Sequence, residues 1–459
     1  MRTWSKALTL PEAKRATITL ECRFLTWVFG GGEQPKRFDR VTRVRAPSVR
    51  GQLRFWWRTT HADLGVDELR LLEAAVFGSV HGGAPIASAV TLAVSRPPRE
   101  PTRKDIFKQG DAFKLVDDGL KAIAYGAFPL RGTDASKTHD VLWNYGEGTF
   151  ELEIGITREL DTLTSQLRDR DEKARADQLE GLLTRLERAY GQRPTTASEL
   201  ERALWAWLHF GGLGGRTRRG FGAVALVEAQ GFTLKGIREG WPSFGHRKPA
   251  AWPVLPERAD SIVAARPRTT GPQAQEVLLG LLHEVRQGPL GRTDNRPRPG
   301  RSYWPEPTAL RRVHRMESGK HGTPVPPERV DAFPRAAFGA PVIFHFKTEP
   351  GEREPPDTTL VPAPVARLGK DGKEVVYGRL ASPLVLRPHA DGTSVTPLAI
   401  RLEHPAPARW ALLVRKEVKA ENVRAEVTPE EARRIKPLKV DGSTTNDPVT
   451  MYLRRLADR

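Results

Sequence analysis

"GGLGGRTRRGFGAV", residues 211–224, sets six glycines and three arginines between two regular segments. Upstream, Leu200, Leu204, Trp207 and Leu208 fall at i, i+4, i+7 and i+8, one face of a helix, and Ser198 with Glu201 suggests a capping box at its start. Downstream, "FGAVALVEA" (221–229) reads as a strand. The loop is not a mononucleotide P-loop, because Gly215 and Gly220 have the right spacing but Phe221 stands where lysine is needed. It is not a dinucleotide fingerprint, because Gly212-x-Gly214 lacks a third glycine in register and the order helix-to-strand is reversed. Glycine C-capping and a tight turn explain Gly211 and Gly212 but not Gly214, Gly215 and the arginines. Glycines let a backbone approach a ligand, and Arg216, Arg218 and Arg219 can neutralise phosphates.

A second segment, "APSVRGQLRFWWRTTH" (46–61), predicts a helix from Pro47 to about Thr60 with Ser48 as N-cap. On a helical wheel Val49, Leu53 and Trp56 share one arc and face a core. Arg50, Arg54 and Arg58 form a stripe at i, i+4 and i+8, with His61 among them and Trp57 on the border. Guanidinium groups hold phosphates through paired donors, and an aromatic ring can stack on an unpaired base. The loop before the helix adds Lys36, Arg37, Arg40, Arg43 and Arg45. A solvated helix face with core tryptophans is the plainer alternative.

The other elements alternate between types. Strands are expected at 17–29, 87–94, 122–130 and 149–156, and helices at 67–78 and, as a pair or one long helix, at 158–190. A Pro- and Trp-rich connection over about 235–272 separates a second half. That half has a helix at 273–287, strands at 340–346, 375–388 and 396–405, and a closing helix, "PVTMYLRRLAD". The fold class is α+β, divided at 15–235 and 250–459.

Of 459 residues, 73 are Lys or Arg and 55 Asp or Glu, a net charge of +18 that calls for an anionic partner. No run approaches the roughly 18 apolar residues of a membrane span. The N-terminus has no signal-peptide pattern, and the single cysteine, Cys22, permits no internal disulfide. Nucleic acid in the cytoplasm is therefore favoured over a membrane. Residues 286–315 carry eight arginines, Arg298 and Arg301 among them, interleaved with Tyr303 and Trp304, and suit an arm that orders on RNA.

"RAPSVRGQLRFWWR", "GGLGGRTRRGFGAV" and "RLASPLVLRP" resemble, in order and spacing, the first-subunit family of the Cmr complex, the type III-B CRISPR effector, within the RAMP superfamily. The matches lie between about residues 17 and 388, and the first is the most specific. The resemblance implies two ferredoxin-like (RRM-related) domains with helical and loop insertions. It also implies a non-catalytic, RNA-binding role near the guide RNA 3′ end, beside the neighbouring Gly-rich subunit, in capture of target RNA. Expected RNA-binding residues are Arg45, Arg50, Arg54, Trp57, Arg58, Gly212, Gly214, Gly215, Arg216, Arg218, Arg219, Arg298 and Arg301. No metal or other cofactor is expected: His283-Glu284 is not followed by a second histidine at helix spacing. The alternative is a metal-independent RAMP endonuclease that processes guide RNA. Its general base would be His61, His81 or His209, and His61 shares the predicted surface of the arginine stripe. A third reading is a protein-assembly cap whose arginines meet acidic partners.

Overall fold

Alternation along Ala16–Phe24 (β1) fixes the first sheet. Ile18, Leu20, Cys22 and Phe24 are buried on one face, while Thr17 and Arg23 are exposed on the other. In the computed structural model this strand is followed by helices Ala46–Thr59 (α1) and Val66–Phe77 (α2), strand Val90–Arg96 (β2), helix Lys121–Gly126 (α3) and strand Thr149–Ile156 (β3). Helices Leu160–Asp169 (α4), Lys173–Tyr190 (α5) and Thr196–Phe210 (α6) then lead to strand Val224–Gln230 (β4). The structure describes residues 16–29, 42–80, 85–98, 107–108, 111–115, 121–128, 142–143, 149–244, 246–248, 251–293, 301–316, 330–346, 354–362, 364–369, 372–407 and 409–459.

The sheet order is β2-β3-β1-β4, with every neighbouring pair antiparallel. This is the split β-α-β arrangement of a ferredoxin-like fold. Phe150, Leu152 and Ile154 of β3 join the inward residues of β1 in one core with α1 and α6.

The second half repeats part of this plan. Strand Val263–Ala264 (β5), helix Gly271–Arg286 (α7), a helix at Glu306–Val313 (α8), hairpin strands Leu384–Asp391 (β8) and Ser394–Arg401 (β9) and helix Pro448–Ala457 (α9) surround an antiparallel sheet of order β8-β9-β5. Strands Val342–Phe344 (β6), Thr358–Pro362 (β7), Trp410–Val414 (β10) and Glu417–Glu421 (β11) make a separate antiparallel sheet.

Both faces of the β8–β9 hairpin are covered. Leu384, Leu386 and Ala399 pack with α7 and α9, whereas Val385, Leu398 and Ile400 pack into the core of the first sheet. That is why "PLVLRP" reads as a continuous apolar run rather than as an alternation.

Local expectations shift in three places, and a fourth is decided between its two alternatives. Helix α1 begins at Ala46 with Arg45 as its extended N-cap, and Ser48 donates its N–H to the Arg45 carbonyl at 2.9 Å. Pro47 fits inside the first turn because that turn's N–H groups need no intrahelical partner. The capping box of α6 lies one turn earlier than Ser198–Glu201. Thr195 Oγ1 accepts from the Ser198 N–H at 3.0 Å and Ser198 Oγ from the Thr195 N–H at 2.9 Å. Residues 121–126, expected in a strand, are helical, with Ile123 and Ala124 buried against α7. The 158–190 stretch is two helices, α4 and α5.

Candidate nucleic-acid interface

Helix α1 carries the arginine stripe, and the structure engages most of it. Glu73 of α2 is 7% exposed and accepts from both Arg54 Nε (2.6 Å) and the Arg58 fork (3.0 and 2.8 Å). Arg50 donates to Ser88 Oγ at 2.7 Å and to the Val90 carbonyl at 2.9 Å, fixing the entry of β2. Burial first, then repulsion from Arg54, lowers its basicity. Arg45 is half-buried, and its side chain has no partner among the described residues. Arg54 and Arg58 remain about one-third exposed, so they present charge outward while holding Glu73.

Replacing Arg54 and Arg58 together by alanine therefore removes charge and also strands a buried carboxylate. We expect a loss of about 1–2 kcal/mol, reduced from the value of a fully buried pair because the arginines are partly solvated. Adding Glu73→Gln should recover most of it. Urea midpoints of the double and triple variants test this, and equal midpoints would show that the pair is only a surface contact.

Trp57 lies in the core rather than on the border. It is fully buried, and its Nε1 donates to Glu199 Oε2 at 2.7 Å. Its role is packing, because Glu199 on α6 draws the indole inward. His61 is also fully buried and not on the arginine surface. Its Nδ1 faces the Trp57 carbonyl at 2.9 Å and its Nε2 lies 3.0 Å from Glu199 Oε2. The wheel misplaced it because the helix ends at Thr59 and the chain turns inward.

The glycine-rich loop approaches protein backbone instead of open solvent. Gly222, at φ +62°, lies so close to Leu213 that a Cβ there would sit 1.9 Å from the Leu213 oxygen, and a Cβ on Gly212 would sit 2.6 Å from the Gly222 oxygen. The loop folds back as a bridge between Gly212 and Ala223, and the Gly215 N–H donates to the Phe29 carbonyl at 2.8 Å. Gly214 is the exposed glycine of the loop.

Two of its arginines, Arg218 and Arg219, tie the first unit to the second. Arg219 forms a parallel bridge with Leu386 and donates to Leu384 O, Phe338 O and Ser382 Oγ. Arg218 donates to the Ser382 carbonyl and lies over Phe55, 5.1 Å from its ring centre. Arg216 donates Nε to the Gly126 carbonyl at 2.9 Å. Burial holds the Arg219 guanidinium at about 9, helped by repulsion from Arg216 and Arg286, and burial alone holds Arg218 at about 10.

Two residues escaped the sequence reading. Arg387, fully buried on β8, donates to the carbonyls of Leu208, His209 and Val224, closing the C-terminal end of α6. His389 Nε2 lies 2.9 Å from His209 Nδ1, the two rings stacked, and His209 Nε2 lies 2.9 Å from the Lys235 carbonyl. Only the three-dimensional meeting of β8 with α6 reveals them. Arg301 is half-buried, its N–H donating to Thr293 Oγ1 at 2.8 Å. Arg298, Lys36, Arg37, Arg40 and His81 lie outside the described residues.

The open face of the first sheet is acidic. Glu21 stands directly opposite Glu151 on β3 and Glu228 on β4, with Glu153 one pair further along. Arg96 bridges Glu151 at 3.2 Å and Glu21 at 3.5 Å. A phosphate backbone crossing this row meets carboxylates, and no aromatic side chain faces outward from these strands to stack on a base. The chain's cationic surplus must act elsewhere. Among the described residues no helix is long and apolar enough to cross a membrane, and no three His, Cys, Asp or Glu side chains group to hold a metal.

No curated protein matches the chain. Its path is similar to that of Cmr1 from Pyrococcus furiosus in the apo form, at 15% identity and TM-score 0.41, covering 85% of this chain and 88% of that one. It is similar also to a chain of the type III-B Cmr-beta complex bound to cognate target RNA, at 11% identity and TM-score 0.43, covering 92% and 98%. The same complex with AMPPnP, in state 2 with single-stranded DNA present, gives 11% identity and TM-score 0.42 over the same shares. The segment from β1 through the glycine-rich loop into β4, residues 21–225, matches the RAMP superfamily model.

Proposed function

We propose that the chain is a non-catalytic RNA-binding subunit of a type III-B CRISPR ribonucleoprotein. In this reading it sits near the guide RNA 3′ end, beside a Gly-rich RAMP subunit, and helps capture target RNA. The observation that carries the reading is a +18 chain whose RAMP segment holds the arginine helix and the glycine-rich loop in the order its sequence motifs require. The division into units at 15–235 and 250–459 belongs to the same proposal, and the ferredoxin-like order of the first sheet with the partial repeat of it in the three-stranded β8-β9-β5 sheet supports it. The arginine helix contributes through the outward parts of Arg45, Arg54 and Arg58, and the loop acts mainly as the joint that positions them.

The endonuclease alternative loses its best base. His61 is sealed beneath α1, and His209 faces His389 and the Lys235 carbonyl. General-base catalysis needs hydrogen-bond reach to a 2′-hydroxyl, which neither ring has in this arrangement.

Two measurements test the function. Copurification from the host should bring down guide RNA and other RAMP subunits. The purified chain should bind single-stranded RNA with an affinity that falls about 0.7 log units per decade of salt for each phosphate contact. A flat salt response rejects RNA binding through phosphates, and binding to protein partners alone would favour the assembly cap.

A further inference from the structure

Gly51 sits in the interior of α1, on its solvent side. Its φ is not positive, and a Cβ added there would meet nothing within 4 Å. Neither backbone conformation nor packing therefore calls for glycine, and alanine would make the more stable helix. This sets it apart from Gly212 and Gly222, where protein backbone leaves no room for a side chain. The remaining use of glycine is close approach of a ligand to the chain.

One turn further on, Phe55 lies on the same arc, with Arg58 beside it and opposite Val49, Leu53 and Trp56. Its ring is half-buried, edge-on to Trp56 at 5.2 Å between centres. The Arg218 guanidinium stands over it at 5.1 Å, held there by the Ser382 carbonyl. No carboxylate pairs with Arg218 among the described residues, and the one that Arg54 and Arg58 share is itself buried. The face thus combines an aromatic ring, an open stretch of helix and three guanidinium groups against one buried carboxylate. That chemistry fits an unpaired base with phosphates on either side of it. An apolar protein segment would leave the cations unmatched.

We propose that Gly51 and Phe55 of α1, with Arg218 of the glycine-rich loop, form a platform on which one unpaired base of single-stranded RNA stacks. This deepens the RNA-binding reading and rests on it. Phe55 takes the role that the sequence suggested for Trp57, and Arg54 and Arg58 face the flanking phosphates.

The test is titration of a short oligouridylate, and of the same oligomer with one abasic position at its centre, into the full-length chain. Phe55→Ala should bind oligouridylate roughly tenfold more weakly, and Phe55→Tyr should stay within about twofold of wild type. Wild type should lose affinity for the abasic oligomer, whereas Phe55→Ala should bind both oligomers alike. The salt slope should not change in either variant, because a neutral ring releases no counterion. Gly51→Ala should also weaken binding, by roughly fivefold, while its melting temperature rises by about 2 °C. A structural glycine would instead lower it, and that result overturns the proposal. Equal affinities in wild type, Gly51→Ala and Phe55→Ala overturn the platform and leave the RNA-binding reading standing. Wild type that binds no oligouridylate rejects that reading and the platform with it. If the variants keep full RNA affinity but bring down fewer partner proteins from the host, the face docks protein and the base assignment fails. Should Phe55→Ala not fold, Gly51→Ala decides alone, since its binding and stability are expected to move in opposite directions.

Discussion

Arg387→Met should cost about 4 kcal/mol of stability, from about 1–3 kcal/mol for each buried carbonyl left without its donor. Leu208 and His209 lie in the last turn of α6, where carbonyls have no intrahelical N–H to accept from. Arg387 donates to both, at 2.8 and 3.2 Å, and also to Val224 at the start of β4. Methionine fills similar volume, so the cost isolates the lost donors rather than a cavity. The opposing term is the burial of an uncompensated guanidinium, which holds its pKa down at about 9. The loss should exceed that gain because three acceptors share one cation. Urea unfolding measures the total, and hydrogen exchange should show the end of α6 opening first. A Met variant as stable as wild type would mean that β8 docks on α6 through apolar contact alone. Arg387→Lys keeps the charge but not the planar fork, and should fall between the two.

Period-based reading found the elements whose faces differ in polarity. β1 alternates cleanly, and Val49, Leu53 and Trp56 lie inward as their spacing requires. It failed where tertiary partners override the local pattern. Trp57 and His61 look like surface residues until Glu199, 142 positions from Trp57, supplies an acceptor in the core. The glycine-rich loop looked like a ligand cradle because glycine permits close approach in general, and sequence does not say what approaches. Here the approaching groups are Leu213, Phe29 and the edge of β8. Arg387 and His389 were hidden for the opposite reason. They sit in an apolar run whose second buried face exists only because another unit covers it.

Glu199→Ala should be similarly damaging, by roughly 3–5 kcal/mol, since truncating one member of a buried charged network leaves the others uncompensated. Glu199 sits between α1 and α6, accepting from Trp57 and facing His61, with Arg202 at 3.9 Å. Arg202 in turn lies over the Tyr190 ring, and Tyr190 donates to Asp63 at 2.8 Å, tying α5 to the same cluster. Burial alone would push the Glu199 carboxyl up. Attraction to His61 and Arg202, with the hydrogen bonds from His61 and Trp57, outweighs burial and holds it at about 2. A carboxyl lowered from its ordinary 4.5 contributes stability that is full above about 4.5 and lost as pH falls through about 2. The histidine pair responds earlier. Burial lowers His209 to about 4, and burial with repulsion from His209 and Arg387 lowers His389 to about 3. The unfolded chain takes up protons below about 6.5 while the folded pair resists them, so stability falls from pH 6.5 downward. Urea midpoints at pH 7.5, 5.5 and 4 separate the two. Wild type should weaken between 7.5 and 5.5, His389→Gln should weaken less, and Glu199→Ala should lose its full increment already at 7.5. If Glu199→Ala matches wild type at pH 7.5, the cluster is not what joins α1, α5 and α6, and apolar packing around Trp56 and Trp207 must suffice.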